Sequence, residues 1–403
     1  MPTTPALRRD EIKLQVALIT PLLYVKGYAA PEVKDAAERA HLLIEQAEAM
    51  GEPLEDPLLL YSTLYGLWVV NLVAFNGGVI RELATQSLAL AEKQGTTVPL
   101  MIGHRLMANS LMLTGDIAQG RAHYDQAIAL YDPVEHRPLA TRFGQDVGAA
   151  ILSFRSLSLW LLGYPEAALA DLARALKDAR EIGQAATLMH ALIHTTMFVH
   201  IPCGSYASAK PALEEVIALA DEKGAPFVKA LAMLDRSWIL SLTGKASEAI
   251  QMYNSWIDAY RSTGATIYMP LHLSLLARAN AELGQFDDAW RYMGEAMVAI
   301  ETTNERWFEA EVNRIAGQIT LVSPEPNTAK AQTYFERALQ TARQQKAKSW
   351  ELRAAMSMAC LWRDQGKPQQ ARELLAPVYG WFTEGFDTRD LKEAKALLDA
   401  LAA

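Results

Sequence analysis

An all-α fold is what this sequence predicts, a right-handed α-solenoid of about nine helix pairs closed by a C-terminal capping helix. Three observations carry the prediction. A turn-and-helix motif recurs at a nearly constant spacing, Ala and Leu dominate over β-branched residues, and no linker, charge block or low-complexity segment divides the chain. In the motif, a turn glycine is followed by a small residue five positions later, a bulky one nine later and usually another small one twelve later. Gly115, Gly120, Tyr124 and Ala127 form one copy, and Gly163, Ala168, Leu172 and Ala175 the next. Gly204, Ala209, Leu213 and Val216 follow, then Gly244, Ala249, Tyr253 and Trp256, then Gly284, Ala289, Met293 and Ala296. A copy with proline at the turn reads Pro326, Ala331, Phe335 and Ala338, and the last reads Gly366, Ala371, Leu375 and Val378. Successive turns are 48, 41, 40, 40, 42 and 40 residues apart, a period that marks a repeat array.

The spacing has a physical origin. A glycine with positive φ ends one helix, and positions five, nine and twelve later share one face of the next. The small residue lets two helices approach closely, and the bulky one fills the groove between them. Seven residues before each turn stand Ala108, Ser156, Met197, Ser237, Ala277, Ile319 and Ala359, mostly small, on the preceding helix. This is the pattern of a tetratricopeptide (TPR) repeat, a helix pair that buries its apolar face by stacking on its neighbours.

Taken in order, residues 1 to about 8 read as a frayed terminus and Asp10–Tyr28 as a helix with Ile12, Val16, Ile19 and Leu22/Leu23 on one side. Pro31 suits the first turn of a helix over 32–50 that Gly51 ends. A polar break at 52–57 precedes an apolar helix over 58–75, and Asn76-Gly77-Gly78 turns into a helix over 80–94. These pairs, residues 1–96, follow the motif loosely, as terminal repeats do. Residues 97–380 are the regular repeats, interrupted by a long polar connection from Tyr131 to Asp146 that accounts for the 48-residue step. A turn-rich aromatic segment, 380–386, leads to the cap, residues 381–403, with Asp387 as its expected N-cap and Asp390 in its first turn. The whole, 1–403, reads as one domain.

Composition bounds the function. Net charge is −8, with 38 basic and 46 acidic residues and no long basic run, which argues against nucleic acid or an anionic membrane as the main partner. The longest apolar runs are far too short to span a bilayer, and the N-terminus lacks the basic-then-apolar order of a signal peptide. Cys203 and Cys360 stand about four repeats apart, which disfavours a disulfide and fits a reducing cytoplasm. Phosphate-loop, dinucleotide, H-E-x-x-H, C-x-x-C and G-x-S-x-G motifs are absent, so the expectation is no enzyme, no cofactor and no metal. His190 and His194 are spaced for one helix face, with His200 and Cys203 nearby, but no further ligand completes a metal site, and helix packing or groove lining is the expected role. Glu305, Glu309 and Glu311 occur with basic residues at helical spacing and read as a solvated, salt-paired face.

The binding surface of such an array is its concave groove, lined by the first helix of each pair. Slots thirteen, ten, six and three residues before each turn face it. They hold Arg105 and Asn109, Ser153 and Trp160, His194 and Phe198, Trp238, Ser274 and Arg278, Asn313, and Arg353 and Arg363. Arg forks grip carboxylates and aromatics give rigid contact area, so the expected partner is a peptide or protein segment, an acidic one favoured, or a small polar ligand. The bland alternative makes the Trp residues core and the Arg residues surface pairs.

Several stretches also resemble a known family. They are Gly27-Tyr-Ala-Ala-Pro-Glu-Val33, Ala129-Leu-Tyr-Asp-Pro133, Phe143-Gly-Gln-Asp146, Leu159-Trp-Leu-Leu-Gly-Tyr-Pro165, Ala347-Lys-Ser-Trp-Glu-Leu-Arg-Ala-Ala355, Leu375-Ala-Pro-Val-Tyr-Gly-Trp-Phe-Thr-Glu-Gly-Phe-Asp-Thr388 and Leu391-Lys-Glu-Ala-Lys-Ala-Leu-Leu398. Over nearly its whole length the chain is similar to the C-terminal TPR-like region of bacterial signalling proteins that carry a class III adenylate cyclase and a STAND-type ATPase. The resemblance implies a sensor that controls such a partner domain. Neither the cyclase metal-binding aspartates nor a Walker motif is present in this sequence, so neither activity carries over. A free-standing TPR adaptor that recognises a peptide segment is the second reading.

Overall fold

The computed structural model describes residues 4–25, 27, 28 and 30–402. Among them, nine helix pairs and a capping helix account for most of the chain. The pairs are α1 (Pro5–Val25) with α2 (Pro31–Ala49), α3 (Leu58–Val73) with α4 (Gly77–Gln94), and α5 (Thr97–Leu113) with α6 (Ile117–Ala129). The short helices α7 (Pro133–His136) and α8 (Ala140–Phe143) intervene before α9 (Val147–Leu161) and α10 (Pro165–Ile182). Next come α11 (Ala185–His194), which runs on as a π turn over Thr195–His200, with α12 (Tyr206–Lys223), and α13 (Pro226–Leu242) with α14 (Ala246–Ser262). The last three pairs are α15 (Met269–Glu282) with α16 (Phe286–Thr303), α17 (Glu309–Val322) with α18 (Thr328–Gln344), and α19 (Lys348–Asp364) with α20 (Pro368–Tyr379); α21 (Arg389–Ala400) is the cap. The expected solenoid is what the chain forms.

The motif positions do the work their spacing assigns. Ala168, Ala209, Ala249, Ala289, Ala331 and Ala371 are fully buried, and Tyr124, Leu172, Leu213, Tyr253, Met293, Phe335 and Leu375 are buried beside them. Gly115 and Gly163 turn the chain at φ 101° and 91°, and Gly120 sits so close to the preceding helix that a Cβ would lie 2.8 Å from the Ala108 carbonyl oxygen. The second helix of each pair is buried along one stripe only, whereas α9 is buried at almost every position. A helix apolar all round must be enclosed all round, and the enclosure comes from a level of structure above the repeat.

That level is a superhelix whose successive turns touch. The Val73 carbonyl at the end of α3 accepts from the backbone amides of Thr266 and Ile267, ahead of α15, and the Leu113 carbonyl at the end of α5 accepts from Arg306 and Trp307, ahead of α17. Ser349 Oγ at the start of α19 donates to the Trp160 carbonyl of α9, and the Arg389 amide of α21 donates to the Cys203 carbonyl after α11. Pair two thus meets pair seven, three meets eight, four meets nine, and five meets the cap. The seam is knitted further at α10. Glu384 accepts from the Glu166 and Ala167 amides at 2.9 and 3.1 Å, and Glu166 accepts from the Gly385 amide at 2.8 Å. This is a reciprocal helix cap made by two segments more than two hundred residues apart.

Four local expectations need correction. Helix α1 begins at Pro5 rather than Asp10, because Arg8 is buried against Glu52 at 2.6 Å and Ile12 packs on Leu43 and Ile44; residues 1–3, Lys26 and Ala29 lie outside the described residues. The polar connection 131–146 is built of short helices that plug Phe143 against Tyr65 and join Arg142 to Asp56 at 2.6 Å. Thr388, not Asp387, precedes the cap helix, without a side-chain capping bond. Glu305 and Glu311 are buried, because donors from their own segment and the neighbouring pairs enclose them: the Tyr268 amide and Trp307 indole for Glu305, Arg314 and Arg353 for Glu311.

Candidate functional site

Inside the superhelix, the first helices of the pairs line two cavities. The N-terminal one, of about 90 Å³, lies among α3, α5, α9, α11 and α13 and the segment ahead of α15. Its walls are mostly apolar and aromatic, from Tyr65, Trp68, Phe154, Ile193, Leu231 and Tyr268 among others. Arg105 enters it from α5, only 2% exposed, with its guanidinium 5.4 Å from the centre of the Tyr65 ring. Its Nε and Nη1 have no hydrogen-bond partner. One helical turn on, Asn109 Oδ1 accepts from the buried Tyr124 hydroxyl at 2.6 Å, while Asn109 Nδ2 has no partner.

His190 and His194 close another side. Their rings stand 4.1 Å apart, His194 lies against Phe154 and Phe198, and His194 Nδ1 donates to the His190 carbonyl at 2.7 Å. Burial, with the positive charge of Arg105 behind it, drives His194 down to about 4 and His190 well below the ordinary imidazole range. Both rings are therefore neutral near pH 7, and Arg105 is the one charged side chain among the described lining residues. An ion taken into such surroundings loses several kcal/mol of hydration, of which a cation–π contact returns about 0.5–2 kcal/mol.

The C-terminal cavity, of about 570 Å³, lies among α13, α15, α17, α19 and α21. Trp238, Leu275, Phe308 and Leu361 give it an apolar floor, and Arg278, Arg314, Arg353 and Arg389 come from α15, α17, α19 and α21. Here the charges are matched. Arg314 holds Glu311 with two bonds of 2.7 Å. Arg353 reaches Asp390 at 2.6 Å, Glu311 at 3.3 Å and the Pro202 carbonyl at 2.8 Å. Its guanidinium also lies against the edge-on pair of Trp160 and Trp350, 5.3 and 5.1 Å from their ring centres. Burial alone would raise Glu311, yet Arg314 and Arg353 hold it down to about 2. Arg278 donates to Ser241 at 2.9 Å and pairs with Glu282 at 3.3 Å, while Glu393 and Asp364 supply further carboxylates to the cavity wall.

Of the groove residues read from the sequence, Arg105, Asn109 and His194 meet in the N-terminal cavity, with Phe198 buried behind His194. Trp238, Arg278 and Arg353 line the C-terminal one. Trp160 packs edge-on against Trp350 at the seam. Two residues lie elsewhere. Arg363 stands on the surface paired with Asp364 at 2.9 Å. Asn313 lies in a groove between α16 and α18, its Nδ2 donating to the Glu309 carbonyl at 2.9 Å.

The displacement of Asn313 has a cause. In five of the regular repeats, those of α5, α9, α13, α15 and α19, the first helix ends two residues before its turn glycine, but α17 ends four before Pro326. Counting from 324 instead moves the four slots onto Glu311, Arg314, Gln318 and Leu321, all of which line the C-terminal cavity. The Ser323-Pro-Glu-Pro-Asn327 sequence was the available signal, since two prolines in five residues lengthen a turn. Arg389 and Asp390 escaped the reading because the cap belongs to no repeat.

With this geometry in hand, solved structures of the same fold can be compared. A Rap protein complexed with Competence and Sporulation Factor matches at a TM-score of 0.63 and 10% identity, over 97% of this chain and 99% of that one. The Rap conjugation gene regulator of plasmid pLS20, in complex with the Phr* peptide, matches at 0.55 and 8% identity, over 97% and 96%. A STAND protein with a TPR sensor from Pyrococcus horikoshii reaches 0.40 at 12% identity, over 94% of this chain and 55% of that one, a likeness too weak to say anything about a regulatory link. No family model and no curated protein matches the chain, so the expected kinship with cyclase-linked proteins gains no support. The fold is TPR-like and similar to that of Rap proteins. Among the described residues, no helix is long and apolar enough to cross a membrane.

Proposed function

We propose that this chain is a non-enzymatic regulatory module, a single folded unit that takes a peptide or protein segment into the C-terminal cavity of its superhelix. The observation that carries the reading is the cavity itself. Its ≈ 570 Å³ falls within the range of about 300–1,000 Å³ common to ligand sites. Its wall sets arginines and carboxylates over an aromatic floor, a surface suited to a peptide that carries both charges and an apolar anchor. The fold similarity points the same way, since the two Rap structures hold Competence and Sporulation Factor and the Phr* peptide. It favours a peptide-recognising adaptor over the sensor of a cyclase-linked ATPase.

The test is selection of short peptides from a random displayed library on the whole chain, followed by calorimetry of the winners on wild type and Gln318→Trp. Gln318 lines the cavity without a hydrogen bond to lose, so the indole fills space while the melting temperature holds. Peptides that bind wild type and fail on Gln318→Trp support the reading. Selected peptides that bind both proteins equally place recognition elsewhere and refute it.

A further inference from the structure

The second cavity has a different chemistry, and it rests on the same reading of the superhelix interior as a ligand site. Arg105 and Asn109 sit one helical turn apart on α5, 2% and 1% exposed. Between them they hold three nitrogens without an acceptor, Arg105 Nε, Arg105 Nη1 and Asn109 Nδ2. His190 Nε2, on the opposite wall, is likewise unpartnered. Among the described residues, no carboxylate forms an ion pair with Arg105, although nearly every other buried arginine of the interior has one. Buried donors in folded proteins are almost always satisfied, and a fixed guanidinium fork matches a carboxylate or a phosphate, of which the singly charged carboxylate is the cheaper to bring among apolar walls.

We infer that the N-terminal cavity is a carboxylate-recognition site for an organic acid group bearing a short apolar tail, with Arg105 as its charge partner and Asn109 as a flanking donor. The walls set the tail. Trp68, Leu72, Phe154, Met189, Ile193 and Leu231 offer no polar contact, and about 90 Å³ is the space of roughly three water molecules, enough for a branched tail of a few carbons. The rim is formed by the half-buried Tyr28, Ala186, His190 and Phe227, so the acid enters from the side of α11 and α13. The same chemistry is presented by a free small acid and by the C-terminal carboxylate of a peptide ending in an apolar residue.

The experiment is calorimetry and thermal melting of the whole chain with isovalerate against isovaleramide, and with the tripeptide Ala-Val-Leu against its C-terminal amide. Wild type, Arg105→Met and Arg105→Lys are compared. The acid binds and its amide is roughly 10- to 100-fold weaker, the range expected for hydrogen bonds to a charged group. Arg105→Met abolishes that preference, and Arg105→Lys, which keeps the charge without the fork, retains part of it. Without ligand, Arg105→Met melts no lower than wild type, because the guanidinium it removes has no acceptor at Nε or Nη1 and its contact with the Tyr65 ring returns less than its burial costs. Isovalerate binding alone assigns a free acid, and tighter binding of the tripeptide assigns a chain end. Equal binding of acid and amide, no binding of either acid, or a ligand-free Arg105→Met that melts well below wild type overturns the inference. Library peptides that still depend on Gln318 would show that this inference had failed alone; no binding in either experiment would remove both.

Discussion

The two cavities are built from the same slots of the same repeat, and they treat buried charge in opposite ways. In the C-terminal cavity Arg353 spends its donors on Asp390, Glu311 and the Pro202 carbonyl and lies against two tryptophan rings. In the N-terminal cavity Arg105 has one ring beneath it and no acceptor at Nε or Nη1. The difference teaches that a groove position does not decide whether an arginine is architecture or recognition. What decides it is what the neighbouring elements bring. Pair eight and the cap bring carboxylates to Arg353, whereas the segment ahead of α15 brings Ile267 and Tyr268 to the cavity that Arg105 enters.

The largest effect that could break this comparison is the loss of Arg353. Arg353→Met should lower stability by about 3–5 kcal/mol, the cost of breaking a buried ion pair and leaving its partner charged, and should shift the urea midpoint accordingly. Arg105→Met under the same conditions should be neutral or slightly stabilising. If the two substitutions cost the same, the distinction between the cavities fails.

Much of this was legible in the sequence, and what was not has two causes. The turn glycines and the small–bulky–small spacing report contacts within a pair or between neighbouring pairs, so they could be read from residues about forty apart. The seam joins residues such as Trp160 and Ser349, or Glu166 and Gly385, whose meeting depends on the pitch accumulated over five pairs, which no local pattern encodes. Arg353 meets the Pro202 carbonyl across that seam, but its carboxylates come from the cap, which belongs to no repeat, and from α17, whose register is displaced, so it read as a free groove residue and Glu311 as a solvated one. Asn313 was misplaced for a separate, local reason, the longer turn before Pro326.

Acid should separate the two halves next. His194, with burial holding it at about 4 against an ordinary 6.5, binds fewer protons folded than unfolded across that interval. Stability from the N-terminal half is therefore complete above pH 6.5 and is lost as pH falls toward 4, by up to about 1.4 kcal/mol per unit. Glu311, held at about 2 against an ordinary 4.5, keeps its contribution until pH falls below 4.5. Hydrogen exchange, corrected for intrinsic rate, should show α9 and α11, and α15 around His272, which burial pushes down to about 3, losing protection between pH 6.5 and 4.5 while α17 and α19 retain it. Loss of protection in α17 first would reverse the assignment of the two halves.

The smallest effect concerns the seam on which both cavities depend. Glu384 satisfies the Glu166 and Ala167 amides at the start of α10, a capping role worth about 0.5–2 kcal/mol, while Glu166 answers at the Gly385 amide. Glu384→Ala should cost about 1 kcal/mol and Glu166→Ala a similar amount. The double variant should cost less than their sum, because each carboxylate fixes the backbone that the other one caps. The same strain on the seam should reach the C-terminal cavity first, since Glu384 lies between α20 and the α21 residue Asp390 that anchors Arg353. Exchange at α21 should then rise in Glu384→Ala while α5, which carries Arg105, stays unchanged. Equal loosening of α5 would mean that the superhelix opens as a whole and that its two cavities are a single cooperative site.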